Sequence, residues 1–359
     1  MEQGDKTRTL LVKHCHTYPK LQTQDVFKYL YQSAFGCEHM ISSLRAVTEY
    51  IREEFEQGCQ NEGLLVEPLD GEYSRVYLTC LNQGLQAETL GKLFFASAKK
   101  KTGGMSDLED KLEIARELAV GNLLPFPIDE FEEAAVKWKA GGYPAVHHSP
   151  VFREFYRPAY RVIANQYVPY LPLFARLDEL LKMGPAVLAI EGGSASGKTS
   201  LSQILEGLYD CTVFHMDDFF LRPDQRTAER YAEPGGNIDR ERFHEEVLVP
   251  LSQNKPVNYR RFDCSKGEIG PSVILTPKKL TVVEGVYSLH PKFGKYYDLA
   301  VFLEISPELQ KKRIVKRNSP EEAKRFYDQW IPMEGDYFSK LKIKERCDLV
   351  IENVLHEEL

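Results

Sequence analysis

Residues 184–359 predict an α/β fold, a parallel β-sheet flanked by helices, and residues 1–183 predict a mainly α-helical domain ahead of it. Three observations carry this reading. Upstream of Met183-Gly184-Pro185, apolar residues recur at three- and four-residue spacing, the period of helices that bury one face. Downstream, short apolar runs alternate with helical stretches. A glycine-rich turn, Gly192 to Thr199, joins the first of those runs to the first of those helices.

In the first part, Val26, Tyr29, Leu30 and Ala34, and then Leu108, Leu112, Ala115 and Leu118, trace the apolar stripes of two helices. Ser106 and Glu109 have capping-box spacing and are expected to open the second of them. Turns rich in glycine or proline, 101–104 and 140–144, punctuate the segment. A helix over 173–184 leads into the second domain. There, 185–190, 211–214, 280–283, 299–303 and 348–351 are short enough for strands. Their continuous apolarity suits parallel strands covered on both faces. Helices are expected over 198–208 and from Ser306-Pro307, where serine caps and proline takes the first helical position. No internal repeat or low-complexity tract is visible.

The chain has 359 residues, which at roughly 150 per domain suggests two domains or three. With 43% hydrophobic and 28% charged residues it is globular in composition rather than disordered or collagen-like. A formal charge of −7, from 46 basic and 53 acidic residues, argues against a polycationic nucleic-acid binder. An acidic average is nonetheless compatible with one basic site. The seven cysteines, among them Cys59 and Cys264, are odd in number, dispersed and never in CxxC pairs. They read as reduced thiols. The first twelve residues do not look like a signal peptide, and no apolar stretch approaches the ~18 to 20 residues needed to cross a bilayer. A cytoplasmic protein that meets neither membrane nor nucleic acid is expected. Association of the chain with itself stays open.

The strongest motif is Gly192-Gly193-Ser194-Ala195-Ser196-Gly197-Lys198-Thr199, followed by Ser200, which satisfies G-x-x-x-x-G-K-[ST] between an apolar strand and a helix. In that context backbone N–H groups converge on phosphate, the lysine reaches the β/γ-phosphates and the threonine hydroxyl reaches Mg²⁺. The fold class becomes a P-loop NTPase sheet, which a GTPase, an ATPase motor and a kinase all share. Two further carboxylate clusters end apolar strands. Asp217-Asp218 follows the second; one of the pair is suited to accept a hydroxyl proton or to orient Mg²⁺. Glu284-Gly285 ends the third, where the carboxylate is suited to hold Mg²⁺. Acidic turns that merely cap the next segment would read the same way.

With these residues in hand, the chain from about Pro185 to Asn353 resembles the uridine kinase family of P-loop kinases, which includes nicotinamide riboside kinase, phosphoribulokinase and pantothenate kinase. Gly192 to Thr199 resembles the family's G-x-S-x-S-G-K-[ST] loop. Asp217-Asp218-Phe219-Phe220 resembles D-[SD]-F-[YF], which implies Asp217 as general base. Gly236-Asn237-Ile238-Asp239 is similar to the N-F-D segment, which implies that Asp239 grips substrate hydroxyls. Residues 306–338 are similar to an arginine-bearing lid, with Arg313, Arg317 and Arg325 on two helices separated by Asn318-Ser319-Pro320. Ser319 and Glu322 are spaced there as a capping box. Such arginines would neutralise charge on the transferred phosphoryl group.

The resemblance implies Mg²⁺- and ATP-dependent transfer of a γ-phosphate to a hydroxyl of a small molecule, a nucleoside in first place. Lys198 and the loop would hold the phosphates, and Thr199 and Glu284 the Mg²⁺. Uridine kinases usually show D-S-F-Y, whereas this chain has Asp218 and Phe220, then Tyr259-Arg260-Arg261-Phe262. Asp218, Tyr259, Arg261, Asp239 and Arg325 are the acceptor-binding candidates. The extra arginines suit an anionic group, so a sugar phosphate or a vitamin-like alcohol stands beside the nucleoside. A nucleotide-dependent switch acting on the helical half is the rival class. That half matches no catalytic pattern. Its polar clusters, His14-Cys15-His16, 32–40 around His39, and 142–149 with His147 and His148, lack recognised metal-ligand spacing. Capped turns and satisfied core histidines are expected. The aromatic run from Phe152 through Phe155, Tyr156, Tyr160, Tyr167 and Tyr170 is expected to pack.

Overall fold

The computed structural model describes residues 3–37, 43–58, 63–99, 103–263 and 266–353. Cys59, Cys264, His39 and the first half of the 101–104 turn lie outside them. The chain divides into two units, Met1–Ala175 and Arg176–Leu359.

The first unit contains helices α1 (Gln3–Thr17), α2 (Thr23–Phe35), α3 (Leu44–Glu56), α4 (Ala87–Ala98), α5 (Met105–Val120), α6 (Ile128–Ala140) and α7 (Pro150–Tyr156). The apolar stripes predicted for α2 and α5 are buried along their whole length. The capping box is not formed. Helix α5 starts at Met105 behind Gly104, which leaves Ser106 inside the first turn. Glu109 accepts instead from Lys139 at 2.8 Å and Tyr143 at 3.2 Å. Strands β1 (Val66–Pro68), β2 (Tyr73–Tyr77) and β3 (Tyr160–Ala164) form an antiparallel three-stranded sheet that the periodicity did not reveal. All five residues of β2 are buried, so no two-residue alternation marks it. Phe152 packs against His148 and Tyr156, as expected of the aromatic run, whereas Phe155 is exposed with Lys20 over its ring.

Helix α8 (Leu171–Met183), expected at the junction, contains the division between the units. The second unit then continues as β4 (Ala186–Gly192), α9 (Lys198–Leu208), β5 (Cys211–His215), α10 (Ala228–Ala232), α11 (Arg240–Phe243), α12 (Val249–Ser252), β6 (Val257–Asp263), β7 (Glu268–Leu275), β8 (Leu280–Glu284), β9 (Leu299–Ile305), α13 (Pro307–Arg317), α14 (Pro320–Arg325), α15 (Ile331–Lys340) and β10 (Leu349–Asn353). The five apolar runs are the five strands of one sheet, ordered β10-β9-β4-β8-β5 and parallel throughout. Leu188, Ala189, Ile190, Val282, Val283, Ala300 and Val301 are fully buried in it, as strands covered on both faces require. Ser306 caps α13, and Ser319 with Glu322 forms the capping box of α14, both as expected. Among the described residues no helix is long and apolar enough to cross a membrane.

Between β5 and β8 the chain makes an excursion that includes the antiparallel hairpin β6–β7. Its register shifts between Arg260 and Phe262, so two consecutive residues, Arg260 and Arg261, face solvent between buried Tyr259 and Phe262. Such a bulge re-aims one side chain.

Gly285, at the end of β8, has φ of 142°, and a Cβ there would lie 2.6 Å from the Cβ of Met216. That conformation is costly for any other residue. Gly207, within α9, has open space around it. Gly285→Ala is therefore expected to lower unfolding free energy by about 2–4 kcal/mol, and Gly207→Ala to leave it unchanged or raise it by about 0.5–1 kcal/mol. Urea unfolding of the two variants beside the parent checks both signs.

Candidate functional site

Because β4, β8 and β5 run parallel and in register, their C-terminal ends lie along one edge. Ile190 pairs with Glu284, and Glu284 with His215. Open α/β sheets bind ligands outside this edge.

The loop after β4 turns within a tight space. Gly192 has φ of 145°, and a Cβ on it would fall 2.5 Å from the carbonyl oxygen of Leu303. Ala195 takes a positive φ of 62°, and Gly197, with φ of 99°, begins α9. Ser196 is buried, whereas Thr199 and Ser200 are exposed in the first turn of α9. Lys198 folds back over the loop and donates to the carbonyls of Gly192 and Gly193, both at 2.9 Å. The Thr199 hydroxyl donates to Glu284 at 3.2 Å. Hydroxyl and carboxylate oxygens are the hard donors that Mg²⁺ takes, so this pair fits such an ion.

His215 Nδ1 contacts the same Glu284 oxygen at 2.6 Å. That hydrogen bond raises the histidine pKa above its ordinary value, against the effect of burial. Asp217 is exposed on the short turn that follows β5. Loss of bulk water around it raises its carboxyl pKa; Lys198 opposes the rise and Glu284 adds to it. Asp218 is engaged twice, by the Tyr259 hydroxyl at 3.0 Å and by Arg261 Nε at 3.4 Å. The bulge in β6 is what turns Arg261 this way. Asp239 caps α11, accepting from the Arg242 amide at 3.1 Å and from Gln225 at 2.9 Å.

Helices α13 and α15 supply further contacts to the loop. Gln310 donates to the Ser194 carbonyl at 2.9 Å, and Arg313 to the Ala195 carbonyl at 3.0 Å. Glu334 accepts from both the amide and the hydroxyl of Ser194, the amide at 2.9 Å. Burial raises the Glu334 pKa. Of the three lid arginines, Arg313 alone is hydrogen-bonded to the loop among the described residues. Arg317 lies over the Phe326 ring and Arg325 is exposed at the end of α14.

Three side chains had no assigned role in the motifs. Glu191 is fully buried and accepts from the amides of Gly192, Tyr287 and Leu289 and from the Tyr337 hydroxyl. Burial pushes its pKa up to about 7. An acidic residue within an apolar strand was a visible signal for it. His215 stands directly before Met216-Asp217. Glu334 reaches Ser194 across 140 positions of sequence, a distance no local motif spans.

A nucleotide-type loop, three strand-end carboxylates and a capping arginine define a kinase-like α/β domain. No family model matches the chain. It is 28% identical over 172 residues to protein 029R of Invertebrate iridescent virus 3, a kinase by name, covering 46% of this chain and 85% of that one. It is 25% identical over 146 residues to a uridine kinase from Oceanobacillus iheyensis, covering 38% of this chain and 68% of that one. A solved structure described as a possible uridine kinase from Bacillus stearothermophilus covers 50% of this chain and 98% of its own, with 22% identity and a TM-score of 0.38. The two sequence relatives support a P-loop kinase. About half of the chain is similar to uridine kinase-like proteins.

The His215–Glu284 pair has a pH signature. A histidine pKa raised on folding contributes stability that is fully present below the unfolded value near 6.5 and is lost as pH rises through the higher folded value. In the absence of divalent cations, NMR titration of the His215 ring is expected to give a midpoint above about 6.5, returning toward that value in Glu284→Gln.

Proposed function

We propose that this chain transfers the γ-phosphate of ATP to a hydroxyl of a small molecule, a nucleoside before a sugar phosphate or a vitamin-like alcohol. The observation that carries the reading is Asp217. It is solvent-accessible, and Lys198 of the loop and Glu284 at the strand end both act on its charge. A carboxylate beside a phosphate-holding lysine is where a general base for an acceptor hydroxyl is needed. Its raised pKa makes it a better proton acceptor than an ordinary aspartate.

In this mechanism Lys198 leaves the carbonyls of Gly192 and Gly193 and turns to the phosphates, beside the amides from Gly193 to Ser200. Asp217 orients the acceptor hydroxyl in line with the γ-phosphorus and takes its proton as the new P–O bond forms and the bond to the leaving ADP oxygen breaks. Asp218, Tyr259 and Arg261, already linked to one another, flank the acceptor. Asp239 acts on it through the cap of α11, whose Arg242 also donates to the Asp218 carbonyl at 2.6 Å. Arg313 serves as the arginine nearest the transferred group, with Arg317 and Arg325 on the helices that close. Thr199 and Glu284 would hold Mg²⁺, which offsets charge on the phosphates when bound. Positioning and electrostatics supply most of the rate.

Lys198→Ala and Asp217→Asn are each expected to lower acceptor-stimulated ADP formation by at least ~10² with the fold intact by circular dichroism. The assay panel comprises nucleosides, sugar phosphates and pantothenate-like alcohols. Near-normal transfer by both variants would overturn the reading, and tight nucleotide binding with no acceptor dependence would favour a switch. Glu334→Gln removes a negative charge from the Ser194 amide that faces incoming phosphate. It is expected to tighten ATP binding by about threefold to tenfold, a change of roughly 0.7–1.4 kcal/mol, read by calorimetry.

A further inference from the structure

The kinase reading leaves the first unit without a role, although two sequence clusters that matched no pattern meet there. Asp25 of α2 accepts from the Ser149 amide at 2.9 Å, the Ser149 hydroxyl at 2.6 Å and His148 Nδ1 at 3.0 Å. His148 Nε2 lies 2.7 Å from the Tyr160 hydroxyl. Burial keeps the imidazole neutral, with its pKa pulled down to about 3. Nδ1–H therefore donates to Asp25 and Nε2 accepts from Tyr160. Gln32 joins the network at Tyr160, whose hydroxyl lies 3.3 Å from Gln32 Oε1, and the same oxygen accepts from Arg75 Nε at 2.9 Å.

This network forms one wall of a cavity of about 670 Å³, within the range of small-molecule sites. Among the described residues, four cations line the cavity, Lys28, Arg153, Arg157 and Arg161, against one carboxylate, Glu54. Arg153 and Arg157 are exposed, but Lys28 and Arg161 are only 8% and 7% exposed. Arg161 Nη1 engages Glu54 at 2.7 Å, whereas its buried Nη2 has no hydrogen-bond partner among the described residues. Lys28 Nζ donates to the Val146 carbonyl at 3.2 Å. Burial, with Arg75 and Arg153 nearby, holds its pKa down to about 8. A plain basic surface would leave such groups in water. A buried cation held only by a carbonyl, as Lys28 is, is costly unless an anion completes it.

We propose that this cavity binds a phosphate monoester of a small organic molecule. A dianion matches the excess of cations better than a single carboxylate does, and arginine forks with a lysine suit its several oxygens. Val47, Phe94 and Val162, with Tyr50 at the rim, give an apolar wall for the rest of the molecule. His148 and Tyr160, fixed by Asp25, present a rigid polar floor. The site is built from the first unit alone, so it stands independently of the kinase reading.

The test uses the full chain carrying Lys198→Ala, which takes the loop lysine out of competition for anions. Inorganic phosphate, glycerol 3-phosphate, ribose 5-phosphate, uridine 5′-phosphate and succinate are titrated by calorimetry. At least one ester is expected to bind with one-to-one stoichiometry and more tightly than succinate. The double variant Arg153→Gln/Arg157→Gln, altered only at exposed positions, should weaken it by about tenfold or more, and Lys28→Met should do the same. If Lys28→Met fails to fold, the rim variant decides. No ester binding, binding unmoved by the rim variant, or succinate binding as tightly as the best ester would each overturn the proposal.

Discussion

The parallel pairing of β4 with β8 on one side and β9 on the other is the constraint on which the candidate kinase site depends. It sets Ile190 opposite Glu284 and carries the loop of Gly192–Gly197 out beside that carboxylate. A slip of one residue would turn Glu284 to the other face of the sheet and separate it from both Thr199 and His215. Register is protected because both faces of these strands are buried. The same pairing brings Gly192 so close to Leu303 that only glycine fits. Phosphate-loop geometry and sheet geometry are thus one requirement.

Much of this was legible in the sequence because the signals are local. The five strands of the parallel sheet, the cap at Ser306, the box at Ser319 and Glu322, and the loop with its lysine each occupy a few consecutive residues. Where local signals failed, a longer-range interaction had taken over. Ser106 and Glu109 have the spacing of a capping box, yet Glu109 is drawn to Lys139 and Tyr143 from another helix. The three-stranded sheet of the first unit stayed hidden because β2 is buried on both faces, and its partner β3 is far along the chain. Glu334 could not be found from its surroundings, since its meaning lies in Ser194. Asp25 and His148 likewise acquire a role only when α2 meets the turn before α7.

The two units solve opposite electrostatic problems, which the net charge of −7 averages away. Around the loop lysine of the second unit gather Glu191, Asp217 and Glu284 from the strand ends and Glu334 from α15, and loss of bulk water raises the pKa of Glu191, Asp217 and Glu334. That crowding suits a site where cations and protons are exchanged. In the first unit the excess runs the other way. Arg75 is fully buried and balanced by Glu67 and Gln32, while the neighbouring cavity gathers cations faster than carboxylates. Each unit holds charges that water alone would not persuade a protein to bury.

The loop itself satisfies its own polar groups in a manner that anticipates its ligand. Lys198 rests on two carbonyls and Glu334 on the Ser194 amide, so neither a buried ammonium nor an open amide is left uncompensated. The lysine contacts are weaker than the ones phosphate can offer, because a lysine gains more from a charged oxygen than from a carbonyl. Phosphate would take over the lysine and the amide together and displace a carboxylate of like charge. The displaced group sits on α15, which also carries Tyr337, the hydroxyl partner of Glu191 behind the loop. Glu334 thus ties the loop to α15, and one continuous helical run joins α15 back to α14, which bears Arg325.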